Sequence, residues 1–245
     1  MSEVHPVVLV FAYGLITALA TGLGAVPFVF VRGISPRTIA YANAVASGLM
    51  LGASFGLLAE GADFGRTGTL LGANFGVLFV LLLQRFLGDR ELGFGPSRGA
   101  GHRPMVLIVL VMTVHSIAEG IAIGSSFAGG MTLAVVITAA IAVHNIPEGL
   151  AISAVLRPRG RSVASCAGWS IFSSLPQPLL AVPAFLFVEA FRPSLPYGIG
   201  FAAGAMVFMV LVELLPEAYE QGNRPLTALI VTVTAVAMVL FQQYL

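Results

Sequence analysis

The chain has 245 residues, 58% hydrophobic and only 9% charged, with a formal net charge of +1 and a mean hydropathy of +0.96. A soluble domain averages about 45–50% apolar and about 25% charged residues, so a soluble enzyme is excluded. A near-neutral chain offers no electrostatic footprint for a phosphate backbone, and no nucleic-acid partner is expected.

Charges and turn residues divide the chain into eight apolar stretches, at about 7–31, 39–59, 67–88, 104–126, 132–156, 163–190, 196–219 and 225–244. Each reaches the roughly 20 residues that a bilayer crossing needs. Backbone polar groups find no water at that depth, so each stretch must be a helix. The predicted fold is an all-α integral membrane protein, a single transmembrane domain over residues 1–245 embedded in the lipid bilayer. The first stretch is longer than a signal-peptide core and follows Glu3 and His5 rather than a basic segment, so it reads as a retained span. The longest connection, Asp89–Arg103, contains Gly93, Gly95, Pro96, Gly99 and Gly101 and reads as a flexible linker. Cys166 is alone, so there is no disulfide framework.

Orientation follows from arginine, which supplies all 12 basic residues. Ten of them lie in or beside the loops after spans one, three, five and seven: Arg32, Arg37, Arg85, Arg90, Arg98, Arg103, Arg157, Arg159, Arg161 and Arg224. Only Arg66 and Arg192 lie on the other side. The positive-inside rule puts the arginine-rich loops in the cytoplasm and both termini outside. Spans two and seven also share a short echo, Gly48-Leu49-Met50 leading to Glu60 and Gly204-Ala205-Met206 leading to Glu217. Those spans run in opposite directions, so the echo predicts an inverted repeat.

The 53 residues between Arg103 and Arg157 contain two charged side chains, Glu119 and Glu148. Each closes a similar motif, His115-Ser-Ile-Ala-Glu119-Gly120 and His144-Asn-Ile-Pro-Glu148-Gly149. His and Glu four residues apart share one helix face. An ionisable residue at mid-bilayer costs about 2.5–3.5 kcal/mol even on the lenient insertion scale. One His–Glu hydrogen bond between helices would explain one pair; a duplicated pair points to a divalent cation held by imidazole and carboxylate. His115, Glu119, His144 and Glu148 are therefore the candidate metal ligands.

Around them, Gly120, Gly124 and Gly149 in spans four and five, and Gly48, Gly52 and Gly56 in span two, allow close helix approach. Pro147 frees the carbonyl of Val143. Pro176-Gln177-Pro178 should break span six, as discontinuous helices do at transporter substrate sites. Met50 reads by spacing as core or ligand. Glu213 is a buried acid on a candidate ion path, and Glu60, Asp63 and Glu189 read as interfacial acids. His102 reads as solvated.

The two motifs resemble the paired signatures on the fourth and fifth spans of the ZIP (Zrt/Irt-like) divalent-metal transporters, bacterial members above all. Span seven, from Gly204 to Glu217, is also similar to the family. The resemblance implies a metal site lined by His115, Glu119 and Glu148, with Met50 a soft ligand and His144 at the position that opens the fifth-span motif. It implies that Glu213 relays metal toward the cytoplasm. It also implies a multi-pass protein of a bacterial cytoplasmic membrane, and leaves a homodimer open. Ser116, Asn145 and Gln177 depart from the family pattern, where Asn, Asp and Glu are common. All three are neutral, so they offer at most a weak second metal position or a pathway. The expected function is uptake of a divalent transition metal, zinc first, with iron, manganese and cadmium as further substrates. No prosthetic group is expected. No P-loop is present to couple transport to ATP. The runner-up, an intramembrane metal-dependent hydrolase, lacks both a His-Glu-x-x-His and a Gly-x-Ser-x-Gly motif.

Overall fold

A computed structural model describes residues 5–31, 33–87 and 103–244. Of the predicted loop Asp89–Arg103, residues 89–102, with Arg90, Arg98 and His102, lie outside the described residues, as does Arg32, while Arg103 opens a helix. Among the described residues every regular element is helical. They are α1 (Pro6–Leu23), α2 (Pro36–Leu87), α3 (Arg103–Gly129), α4 (Met131–Leu156), α5 (Val163–Ser173), α6 (Pro176–Ala190), α7 (Leu195–Met209), a π-helical turn (Val210–Leu214), α8 (Leu215–Gln221) and α9 (Arg224–Tyr244). Short 3-10 turns at Val26–Val29, Arg157–Arg159 and Arg192–Ser194 join some of them. Six helical runs among the described residues are long and apolar enough to cross a membrane. Large apolar side chains such as Phe75, Leu70, Leu229 and Val233 stand exposed on the outside, as lipid contact requires.

The first stretch is shorter as a helix than its apolar run suggested. α1 stops at Leu23, because Gly24 and Pro27 end the regular pattern and Pro27 has no N–H to continue it. The run from Pro36 to Leu87 is 52 residues, which as one straight helix would be roughly 78 Å long. It is not straight. Gly65 leaves the helical conformation (φ 167°, ψ 100°), and a β-carbon on Gly61 would lie 2.9 Å from the Thr69 side chain. Residues eight apart in a continuous helix are separated by about 12 Å, so the chain turns back at Gly65 and forms two arms. Span six is also broken, at Ser174 and Leu175, just before Pro176.

Glycines sort the helices into two groups. In one, Gly14 packs on the Pro178 backbone, Gly124 on the Ala181 carbonyl and Gly149 on the Thr21 carbonyl, which joins α1, α3, α4 and α6, while Gly22 rests on the Ile171 side chain of α5. In the other, Gly52 packs on the Ala235 carbonyl, Gly76 on the Phe201 carbonyl and Gly204 on Ala73, which joins both arms of α2 with α7, α8 and α9. Every described glycine whose β-carbon would meet the backbone of another helix does so within its own group. Between the groups, at Gly198 against Ser125 for example, the approach is to a side chain. The closest glycine-to-backbone approaches thus fall within a group, while between the groups α2 lies along α4 and α3 along α7.

A methyl group at Gly149 would overlap the Thr21 carbonyl oxygen, whereas nothing lies within 4 Å of one at Gly168. Gly149→Ala is expected to lower the melting temperature of detergent-purified protein by roughly 5 °C, the scale of an overpacked core. Gly168→Ala, in exposed helix, should leave it unchanged or slightly higher. Thermal unfolding of the two variants side by side checks this.

Candidate metal centre

The broken sixth span sets the geometry. α6 begins at Pro176, and its first turn rests between two glycines: the position of a β-carbon on Gly120 is 2.9 Å from the Pro176 and Gln177 carbonyls, and that on Gly14 is 2.7 Å from the Pro178 Cα. The start of a helix, with its positive dipole end, is thereby brought against α3 at the level of Glu119. α4 stays helical through Pro147, and its His144, Asn145 and Glu148 are all buried.

Glu119, His144 and Glu148 offer ligand atoms that all lie within 4.8 Å of one another, at 0%, 0% and 2% exposure. His144 Nε2 is 2.9 Å from Glu119 Oε1. Gln177 Nε2 donates to the other oxygen, Oε2, at 2.5 Å. Asn145 Nδ2 donates to Gln177 Oε1 at 3.2 Å and to the Thr17 carbonyl of α1 at 3.0 Å. One polar chain therefore runs through α1, α4, α6 and α3, all in a single glycine-locked group. It ends on the Glu119 carboxylate.

Around this chain, His144 Nδ1, Glu148 Oε1, Asn145 Oδ1 and Ser116 Oγ are buried atoms without a hydrogen-bond partner among the described residues. Buried polar atoms are nearly always paired, so four in adjoining turns of α3 and α4 mark a place suited to a ligand. Two carboxylates and an imidazole are a donor set for zinc or another first-row divalent ion. With Asn145, Ser116 and Gln177 neutral, the formal charge of the cluster is −2, which a single divalent cation balances.

His115 has another neighbour. Its Nε2 lies 3.4 Å from Oε2 of Glu213, whose side chain is 8% exposed. Glu213 sits in the π-helical turn, whose extra residue rotates it relative to α7. The contact joins α3 of the first group to the second. One helical turn further on, Glu217 accepts a hydrogen bond from Asn43 Nδ2 at 3.3 Å.

The structure thus brings Glu119, His144 and Glu148 together, links Asn145 and Gln177 to them, and sets His115 beside Glu213. Met50 is fully buried in the main apolar core, together with Ala118 and Ala122 of α3 and Met206 and Met209 of α7. Glu60 and Asp63 are exposed, while Glu189 pairs with Arg192, whose Nη1 also donates to the Ala128 carbonyl at 2.5 Å. Sequence reasoning missed the Thr17 carbonyl that anchors Asn145; being a main-chain group that any residue offers, it leaves no signal in the sequence. It also missed the Asn43–Glu217 pair, whose members lie 174 residues apart.

The family described as ZIP Zinc transporter matches residues 98–242. Zinc transporter ZIPB of Bordetella bronchiseptica is 34% identical over 91% of this chain and 76% of its own length. The chain belongs to the ZIP family. Zinc transporter GufA of Myxococcus xanthus is similar at 30% identity over 85% of this chain and 87% of its own length. A protein of Arabidopsis thaliana is 44% identical over 92% of the chain, which spans only 37% of that protein; for zinc transporter ZIP11 of Bos taurus the share spanned is 43%. Within the ZIP match lie all the cluster residues on α3, α4 and α6.

The Gln177 amide is the group that holds one oxygen of Glu119 in place. Replacing an outer partner of a metal ligand typically costs about 10–100-fold in metal affinity. Gln177→Leu is expected to weaken zinc binding to the purified protein by that factor without unfolding it. Calorimetric titration of wild type and variant measures the change.

Proposed function

We propose that this ZIP-family protein carries divalent transition-metal ions, zinc foremost, across a membrane into the cytoplasm, binding them at Glu119, His144 and Glu148. The observation that carries the reading is this buried group of three ligand atoms within 4.8 Å, in a chain whose relatives are named zinc transporters. With the two arms of α2 counted separately and α3 included, eight segments cross the bilayer. Both termini lie outside, in keeping with the ten-to-two arginine asymmetry. The bacterial relatives of similar length favour a bacterial cytoplasmic membrane.

His115 and Glu213 supply the next pair of ligand groups along the path, and Met50 lines it from the second helix group. One ion occupies the cluster at a time. A second divalent ion about 4 Å away would be repelled by roughly 17 kcal/mol at an effective dielectric constant of 20. Neutral Ser116, Asn145 and Gln177 do little to offset that.

Alternating access follows from the two groups. Glu119, His144, Glu148, Asn145 and Gln177 all belong to the group of α1, α3, α4, α5 and α6, so the cluster can move as one piece. Motion against the second group alters the His115–Glu213 and Met50 contacts while the three ligands keep their spacing. That is the rigid-body behaviour expected of transporters built around a fixed site.

Glu119→Ala and Glu148→Ala are each expected to abolish zinc uptake into proteoliposomes while the proteins remain folded in detergent. Wild-type uptake by either variant would remove the metal site.

A cross-link between the groups tests the motion. The position of a β-carbon on Gly198 is 3.4 Å from the Ser125 Cβ, close to the spacing of a disulfide. In a Cys166→Ser background, Ser125→Cys with Gly198→Cys should lose uptake on oxidation and regain it on reduction. Unchanged uptake in the fully cross-linked protein would mean that the groups do not move apart there.

A further inference from the structure

The second arm of α2 carries an amide where a bilayer offers it no partner. After the turn at Gly65 this arm runs to Leu87, and Asn74 lies eight residues from Arg66 and eleven from Arg85. At the helical rise those are about 12 Å and about 17 Å, so Asn74 sits near the middle of a hydrocarbon core roughly 30 Å thick. It is exposed on the outside of the molecule, among the exposed side chains Leu70, Leu71, Phe75 and Leu78.

The amide is only half satisfied by its own helix. Nδ2 donates to the Leu70 carbonyl at 2.8 Å, one turn back. An amide has two N–H donors and an oxygen acceptor, so one N–H and Oδ1 are left without a partner among the described residues. Thr232, exposed on α9, differs: its single hydroxyl donor is taken up by the Ala228 carbonyl. Neither water nor a lipid headgroup reaches the depth of Asn74, and polar groups left unpaired in hydrocarbon are costly.

What remains on Asn74 is self-complementary, since the N–H of one amide fits the oxygen of another and the reverse. The flanking pattern agrees. Thr67, Leu71, Asn74, Leu78 and Leu81 are all exposed and alternate by four and three residues, the 3.5-residue repeat of a left-handed helix pair. Copies inserted in one orientation are related by a two-fold axis along the membrane normal. That axis sets the two arms parallel and puts each Asn74 at the depth of the other. We infer that a second copy of this chain packs on the second arm of α2, the remaining N–H of each Asn74 donating to Oδ1 of the partner's Asn74. Arg85, next in the series, is at headgroup level, where its long stem reaches water.

This face belongs to the second helix group, so a dimer joined there leaves the group that holds the metal cluster outside the interface. The inference rests on the arm crossing the bilayer, which is part of the reading above, and not on metal transport.

The test uses the full chain in lipid vesicles, in a Cys166→Ser background. Leu78→Cys should form a disulfide between copies under a membrane-permeant oxidant, whereas Leu179→Cys, exposed on α6 of the first group, should form none. Subunit counting by single-molecule photobleaching over a series of lipid dilutions should show Asn74→Leu associating about tenfold more weakly than wild type. Asn74→Gln, which keeps the amide, should stay close to wild type. An exposed leucine in hydrocarbon does not threaten the fold, so the comparison reads association. A monomer at every dilution, unchanged association of Asn74→Leu, or cross-linking at position 179 instead of 78 would overturn the interface. In the same vesicles, Thr67→Cys and Arg85→Cys should react with an impermeant thiol reagent from opposite faces. If they do not, the spanning reading fails and the interface with it; if they do and no dimer forms, the interface alone fails.

Discussion

A carboxylate removed from water loses several kcal/mol of solvation, which other groups must restore if it is to stay charged. Glu119 is in that position, at 0% exposure. Its two oxygens face an imidazole and an amide, His144 at 2.9 Å and Gln177 at 2.5 Å. Gln177 is held by Asn145, and Asn145 by the Thr17 carbonyl. Each partner sits on a different side of the carboxylate because four helix segments converge on it. That convergence demands the glycines at Gly14, Gly120 and Gly149, and the break before Pro176. Ligand geometry and backbone packing are therefore consequences of one constraint.

The same constraint separates what can move from what cannot. Helices that meet backbone to backbone leave no room for sliding, since even a methyl group overlaps the neighbouring carbonyl at Gly149 or Gly204. Side-chain contacts are softer, because rotamers can change as surfaces shift. Among the described glycines, the contacts with a neighbouring helix backbone fall within the two groups. The divide passes beside the metal cluster rather than through it. It passes between His115 and Glu213.

Much of this was legible in the sequence. Apolar runs separated by arginine and glycine located the helices, because hydrocarbon excludes polar backbone and side chains alike. Glu119 and Glu148 stood out because charge at mid-bilayer is so costly. The proline pair around Gln177 marked the broken span. What the sequence did not display was set by tertiary contact. The gap expected between spans two and three, at residues 60–66, is where the chain folds back; what it did not display is that helix continues right up to Gly65 on both sides. The π-helical turn at Val210–Leu214 has no local signature and becomes visible only as the rotation that sets Glu213 beside His115. His115 and His144 were equivalent by motif, and in space they part. His144 joins the two glutamates, while His115 faces the other helix group. Repeated motifs report that polar residues are needed, not which neighbour each will find.

That parting of the two histidines gives the site a direction. If both imidazoles closed on the same pair of glutamates, the ion would be held by four strong ligands inside one rigid group and would have no neighbouring donor to leave for. Structural zinc sites are of this closed kind, whereas working sites keep a position open. Here three candidate donors converge, and a fourth, His115, lies beside an acid on the opposite group. On the proposed transport reading, a cation leaving the glutamates would meet an imidazole and a carboxylate whose spacing depends on how the groups stand relative to each other. On that reading, binding strength at the cluster would be insulated from the motion, while that of the adjoining pair would vary with it. A carrier needs that asymmetry, because a site that tightened and loosened everywhere at once would release its ion to either side without preference.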